Sequence, residues 1–335
     1  MTYKSVLKGY LFIIFILIYL FFLLQIPNTL LWDRDNYLIY ANLSSDIIAS
    51  YDSVLDYVSG DYLFLLINSF LSIFFSDYVV VNILVSFVVF SYMLFLYLKS
   101  ENLLLFYVGV VSSIVILPIF HFQLVTIRQA IATVIFLYGI FFLKEKRNFL
   151  FLLIICSLIH SVYYLISFFF FLNFFILAKS NFYVRYFLIF LSSLFLSFVY
   201  LGLGQLLGFR QAESYSSYDG GVGGGAFILW GIVFFYILKY GNKNETMLYH
   251  YSLMGLIVYS IFYLFANVTV AARISEAVLP IVLILLVSKS KASDFLIIFF
   301  IILAYLFLWF NGGMYELMFE ASEVIVKGYF NNFFN

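Results

Sequence analysis

The chain has 335 residues, of which 65% are hydrophobic, 23% aromatic and 10% charged, with a mean hydropathy of +1.10. No water-soluble domain carries so little charge, and the composition describes a polytopic membrane protein. A formal net charge of zero argues against a nucleic-acid role, and the single cysteine, Cys156, excludes an intramolecular disulfide.

The first apolar run, Tyr10 to Ile26, follows Lys4 and Lys8 and has the outline of a signal peptide. It is long for one and ends Gln25-Ile26-Pro27-Asn28 without a small-residue cleavage site, so it reads as an uncleaved first span. Further runs long enough to cross cover approximately 78–98, 103–119, 124–143, 183–207, 226–240, 246–265, 271–288 and 293–311. Residues 61–75 are short for a crossing helix, which needs roughly 20. Residues 149–178 are too many for one helix and are interrupted around His160. Heavy use of Phe, Tyr, Ile and Asn with only three prolines points to an AT-rich bacterial source.

Charge orients these runs. With the N-terminus inside, Lys4/Lys8, Lys99, Lys144/Lys146/Arg147, Lys179/Arg185, Lys239/Lys243 and Lys289/Lys291 all fall on the cytoplasmic side. The parity then requires 61–75 to dip into the outer leaflet and return, or to lie along it. It also requires 149–178 to form two arms meeting at His160. The expected fold is all-α: one polytopic membrane domain over 1–335 with about eleven transmembrane helices, roughly ten to twelve, and an outside C-terminus. Of 17 basic residues this arrangement places twelve inside, leaving Arg34, Arg128, Arg210, Arg273 and Lys327. Four of those five are arginines, although lysine outnumbers arginine by 11 to 6. Topology is indifferent to that choice; two-pronged binding of an oxyanion is not.

Polar chemistry gathers in the outer loops. Residues 27–60 carry Asp33, Arg34, Asp35, Tyr37 and Tyr40, then Asp46, Asp52 and Asp56, with Asp61 just beyond. Residues 208–225 carry Arg210, Glu213, Tyr215 and Tyr218 before the run Gly220-Gly221-Val222-Gly223-Gly224-Gly225. That run lacks the Gly-Lys-Ser/Thr of a phosphate loop and reads as a hinge beside a site that opens and closes. Tyrosines beside carboxylates suit sugars: ring faces pack on pyranoses and carboxylates bond hydroxyls. Residues 312–335 intersperse Glu316, Glu320, Glu323 and Lys327 with apolar residues, as an amphipathic surface helix would.

Arg128 is the strongest single signal. It stands about one turn inside an apolar run, where a charge costs roughly 2.5 kcal/mol or more and usually faces a wet cavity. Gln129, His121 and Gln123 favour a polar pocket over snorkelling to the interface, and a helix starting here would add its N-terminal dipole to the pull on an anion. Arg273 and Glu276 share a helix face, either as an intrahelical pair or as a second phosphate ligand with its orienting carboxylate. Arg210 is either solvated surface or a loop ligand. His160, at a helix break, is either a satisfied hydrogen-bonding group or a base with a pKa near the working range. Asp33 and Asp35 form an Asp-x-Asp that could hold a metal, bind an acceptor or act as base, but no cluster strengthens a metal site. No cofactor fingerprint, zinc motif or nucleophile triad is present, so no cofactor and no metal are expected.

Taken in order, Asp33, Tyr37 and Tyr40, then Asp61-Tyr62-Leu63-Phe64, Ile127-Arg128-Gln129-Ala130-Ile131-Ala132, His160-Ser161, the tyrosine–glycine loop and Ala271-Ala272-Arg273 form a familiar series. The set, spanning residues 30–285, resembles the EpsG-like branch of Wzy-type O-antigen and capsule polymerases. Asp61 departs from it, because the residue there is usually glutamate. The resemblance implies a GT-C-like membrane glycosyltransferase with functional loops on the outer face of the bacterial inner membrane. Such an enzyme transfers a growing glycan from undecaprenyl diphosphate onto a new lipid-linked repeat unit, without nucleotide sugar. Its partners would be undecaprenyl-diphosphate-linked oligosaccharides, membrane lipids and a chain-length regulator protein. On that reading Arg128 and Arg273 stabilise the leaving diphosphate with Arg210 in support, and His160, or else Asp33 or Asp35, is the base. Gln129, Glu276, Asp61, Tyr37, Tyr40, Tyr215 and Tyr218 bind substrate. An O-antigen ligase shares the donor and is barely separable by sequence. A flippase is the rival from another class, but the matched halves expected of a transporter are not seen.

Overall fold

The computed structural model describes residues 3–143, 145–206, 224–311, 318–320, 325–326 and 328–329. They form an all-α membrane protein, with no sheet among the described residues beyond one isolated bridge, Leu31 to Phe319. In chain order the helices are α1 (Tyr3–Leu24), α2 (Arg34–Ala49), α3 (Val54–Ser59), α4 (Tyr62–Ser72) and α5 (Asp77–Lys99). Then come α6 (Leu103–Val115), α7 (Leu117–Leu124), α8 (Ile127–Phe142), α9 (Lys146–Ile159) and α10 (Val162–Phe171). The last five are α11 (Phe182–Leu206), α12 (Gly225–Tyr240), α13 (Thr246–Phe265), α14 (Val268–Val287) and α15 (Ala292–Phe310). Among the described residues five helices are long and apolar enough to cross a bilayer unaided: α5, α13, α14, α15 and the Phe182–Val199 part of α11. The bent pair α6–α7 makes a sixth candidate, and shorter apolar helices such as α4, α8, α9 and α10 fill the space between.

At the centre stands α14. Every residue from Ile274 to Val287 is buried, and a helix apolar on all sides belongs inside a bundle rather than on its rim. Its closest neighbour is α13. A Cβ on Gly255 would lie 2.6 Å from Val278 Cγ1, so glycine is what lets the two backbones approach. The lipid-facing sides of α1, α11 and α15 carry exposed Phe, Leu and Ile, as a bilayer solvent permits.

Residues 103–119 are not one helix. The run breaks at Ile116 and restarts as α7, bent by 82°. Pro118 accounts for it: it has no N–H to continue the α6 ladder and its ring clashes one turn back, whereas in the first turn of a new helix it fits. Carbonyls freed at the end of α6 find other donors. Trp309 Nε1 donates to Val115 O at 2.9 Å, and Gln123 Nε2 donates to Ser113 O at 3.1 Å. Gln123 therefore ties off a helix end and does not face a pocket.

The two arms meeting at His160 are present. α8 and α9 run antiparallel (Gly139 lies against Leu152 and Phe149, Ala132 against Cys156), and α10 turns back so that Phe170 stacks on Phe149. α9 and α10 thus both leave the end of the bundle that holds the basic turns and meet at its other end. At the basic end, Lys99 pairs with Glu245 at 2.7 Å, Asn242 bonds Ser288, and the Ser290 N–H bonds the Glu101 carboxylate. From Val287 to Arg273 along α14 is about 21 Å at 1.5 Å per residue, so Arg273 and His160 lie far from those turns.

Candidate functional site

Four helix N-termini open on one cavity of about 570 Å³, within the roughly 300–1,000 Å³ of small-molecule sites. Asp33 precedes α2, Asp61 precedes α4, Thr126 precedes α8 and His160-Ser161 precede α10; Asp33, Asp61, Thr126 and His160 all line the cavity. Each N-terminus brings unsatisfied N–H groups and partial positive charge. Arg128, in the first turn of α8, and Arg273, early in α14, add two full charges.

Asp33 (φ 61°) and Asp61 (φ 54°) are the two non-glycine residues with positive φ among the described residues. Left-handed backbone favours Asp over longer side chains and costs of order 1–3 kcal/mol, and it recurs at functional sites.

Asp61 is the hub. Arg128 Nη1 donates to its Oδ2 at 2.7 Å, the Ser161 N–H donates to its Oδ1 at 3.1 Å, and His160 Nδ1 lies 3.6 Å from Oδ1. Burial alone would raise its carboxyl pKa, but the Arg128 charge, then His160 and the Ser161 N–H, hold it below the usual value. The Arg128 guanidinium lies 5.0 Å from the Tyr40 ring and 5.9 Å from that of Tyr37, and the Arg128 N–H donates to the Tyr37 hydroxyl at 3.4 Å. Tyr37 is 2% exposed and fixes the start of α8 as well as lining the cavity.

Arg273 forms the second lobe. It lies 3.5 Å from Asp33 Oδ2 and 3.4 Å from Glu276 Oε2, and His121 Nδ1 approaches Glu276 Oε1 to 2.7 Å, off the line of a hydrogen bond. Gln129 Nε2 donates to the Arg273 carbonyl, tying α8 to α14. The intrahelical Arg273–Glu276 pair exists, and the same arginine also faces the cavity.

Among the described residues ten buried side-chain nitrogens and oxygens lack a hydrogen-bond partner. Four of them belong to residues that line this cavity: Thr126 Oγ1, Arg128 Nε, Gln129 Oε1 and His160 Nδ1. Buried polar groups are rarely left unbonded, and their concentration here marks a site whose groups are reserved for something else.

The structure thus brings Arg128, Gln129, Arg273, Glu276, His160, Asp33, Asp61, Tyr37 and Tyr40 together. Asp35 does not join them, being exposed on α2 and absent from the cavity wall. Arg210, Tyr215, Tyr218, Lys327 and most of the tail lie outside the described residues. Arg34 is 2% exposed but does not line the cavity. Sequence reasoning counted Asp56 among the outer-loop carboxylates but missed the wall that it makes with Ser50, Tyr51, Ser59 and Gly60. Its legible trace was Ser53-x-x-Asp56, a capping box that starts α3. Among the described residues no group of three or more His, Cys, Asp or Glu is placed to hold a metal.

The chain is an all-α membrane protein whose cavity gathers two arginines among converging helix N-termini, a concentration of positive charge that suits an oxyanion. A family model for the EpsG family matches residues 10–318. The chain belongs to that family, and EpsG-like proteins are Wzy-type polysaccharide polymerases. Neither the curated proteins nor the solved structures gave a match.

Proposed function

We propose that this polymerase takes its growing glycan from a polyprenyl diphosphate, undecaprenyl in a bacterial inner membrane, and transfers it to a new lipid-linked repeat unit on the outer face. The observation that carries the reading is the cavity itself: Arg128 and Arg273 stand on different helices where four helix N-termini meet. A sugar held only by hydroxyl contacts has no need of that charge, whereas a diphosphate leaving group does. The sidedness rests on the charged turns at the far end of the bundle, around Lys99, Lys289 and Lys291, which the positive-inside rule assigns to the cytoplasm.

The chemistry follows from the pairing. A diphosphate entering the cavity competes with Asp61 for Arg128 and with Asp33 and Glu276 for Arg273, and it offers Arg128 Nε an acceptor. His160 Nδ1 is buried toward Asp61, which leaves Nε2 as the nitrogen able to serve the cavity. The acceptor hydroxyl oxygen attacks the anomeric carbon as the bond from that carbon to the diphosphate oxygen breaks. The bond pair leaves with the diphosphate onto the arginines, and the hydroxyl proton passes to His160. Asp61, relieved of Arg128, steadies the imidazolium that forms.

Glycan analysis of a deletion strain tests the assignment. Single repeat units on the final carrier are expected. Uncapped lipid-linked polymer would indicate a ligase, and repeat units trapped inside the cell would indicate a flippase.

A further inference from the structure

The cavity is lined by two chemically distinct groups of residues. One holds Arg128 and Arg273. The other, formed by the segment between α2 and α4, presents Ser50, Tyr51, Asp56 and Ser59 and has no basic residue. Asp61, directly after Gly60, joins the two, with its Oδ2 on Arg128 and its Oδ1 facing His160 and the Ser161 N–H.

That second wall is built firmly for a surface segment. Tyr51 donates to the Gly60 carbonyl at 2.7 Å, and a Cβ on Gly60 would sit 2.2 Å from the Tyr51 hydroxyl, so glycine is required for the contact. Tyr164 of α10 donates to the Val58 carbonyl at 2.8 Å and pins α3 to the helix that follows His160. Ser53 and Asp56 close a reciprocal capping box. Within it Asp56 Oδ2 accepts from the Ser53 N–H, the Ser53 hydroxyl and the Asp52 N–H, while Oδ1 accepts nothing from the described residues. The bonds from Ser53 also hold the Asp56 carboxyl below its usual pKa, so the group is ionised at neutral pH. The result is a fixed carboxylate with one free oxygen, among hydroxyls, on the part of the cavity wall that Tyr164 holds to α10.

We infer that this wall is the acceptor-sugar subsite, and that Asp56 selects a repeat unit whose non-reducing terminal sugar is neutral or carries an amino group, against one ending in a uronic or other acidic sugar. The inference rests on the polymerase reading above. Displacement at a sugar carbon places the attacking hydroxyl opposite the leaving diphosphate, with the base beside the attacker. With the leaving group on the arginines and the base at His160, the acceptor belongs on the wall that α10 holds beside His160, where Asp56 stands. A free carboxylate oxygen bonds sugar hydroxyls or an ammonium group, and it repels another carboxylate.

The test uses full-length protein in nanodiscs with two synthetic acceptors, undecaprenyl-diphosphate oligosaccharides that differ only in ending with glucose or glucuronic acid. Wild type should transfer to the glucose-terminated acceptor and discriminate at least tenfold in kcat/KM against the other. Asp56→Asn should raise KM for the glucose acceptor about tenfold or more, the loss expected for a hydrogen bond to a charged group. It should also narrow the discrimination, with kcat and the affinity for undecaprenyl diphosphate itself within twofold of wild type. Asp52→Asn, which removes a neighbouring carboxylate outside the cavity, should change none of these. Equal use of both acceptors by wild type, an unchanged KM in Asp56→Asn, or the same KM rise in Asp52→Asn overturns the subsite. Loss of undecaprenyl diphosphate binding in Asp56→Asn overturns it too, because the wall would then be structural. No transfer by wild type to either acceptor instead overturns the polymerase reading, and that is read in the wild-type reaction alone.

Discussion

Replacing Arg128 with lysine keeps the charge and removes the fork. In the structure only Nη1 bonds Asp61, at 2.7 Å, while Nε is buried and unbonded. An ammonium can keep the Asp61 contact as a point charge, so the fold should tolerate the exchange. It cannot present two parallel N–H groups to a phosphate. Losing one hydrogen bond to a charged group is worth about 1.5–3 kcal/mol, which lowers kcat/KM roughly 10- to 150-fold. Alanine is the poorer probe: it leaves the buried Asp61 carboxylate unpaired, at about 3–5 kcal/mol of stability, and lost activity would then report unfolding. The assay is the ladder of chain lengths made by purified protein from lipid-linked repeat units, with thermal unfolding in the same detergent as the control. A lysine variant with a wild-type ladder and rate would remove Arg128 from the mechanism.

Other outcomes follow from the same geometry. His160→Gln should lower kcat by about 10²–10⁴ while undecaprenyl diphosphate binding, measured separately, stays intact; a comparable loss of binding would make His160 a ligand rather than a base. Asp61 has a folded-state pKa below its unfolded value, so it stabilises the protein above an unfolded pKa of about 3.9 and loses that contribution as pH falls through the folded value. The gap in melting temperature between wild type and Asp61→Asn should therefore close below about pH 4, and a gap independent of pH would contradict the pairing. Gly255→Leu should destabilise by about 1–3 kcal/mol, since a Cβ alone already meets Val278 at 2.6 Å; an unchanged melting temperature would show that α13 and α14 separate easily. Polymerisation in EDTA should proceed at the untreated rate, and loss of product would favour a metal on the Asp33 side.

Local pattern carried the sequence reading a long way. The start of α8 one residue before Arg128, the helix break at His160 and the Arg273–Glu276 pair all follow from hydropathy and spacing. Residues 27–60 read as a loop because they are polar, yet they hold α2, whose inward residues Arg34, Tyr37, Ala41 and Ser44 make a narrow and only partly apolar stripe, and α3, which buries none of its residues. Gln123 resembled a pocket residue because its partner, the open end of α6, exists only once Pro118 has bent the chain. The hardest relations to read were those between distant segments. Asp33 and Arg273 are 240 positions apart, and Asp61 and Ser161 are 100 apart, so no local period could have joined them. What the sequence offered instead was the excess of arginine among the charges that topology left over.

Side-specific labelling tests most directly whether the arginine-lined cavity opens away from the cytosol. The native thiol, Cys156, is buried, and the unsubstituted protein serves as the labelling blank, so cysteines can be introduced singly at Ser50, exposed on the cavity wall, and at Ser290, exposed among the basic turns. A membrane-impermeant maleimide added to intact spheroplasts should label Ser50→Cys at once and Ser290→Cys only after permeabilisation. The reverse pattern would turn the cavity toward the cytosol and contradict the account.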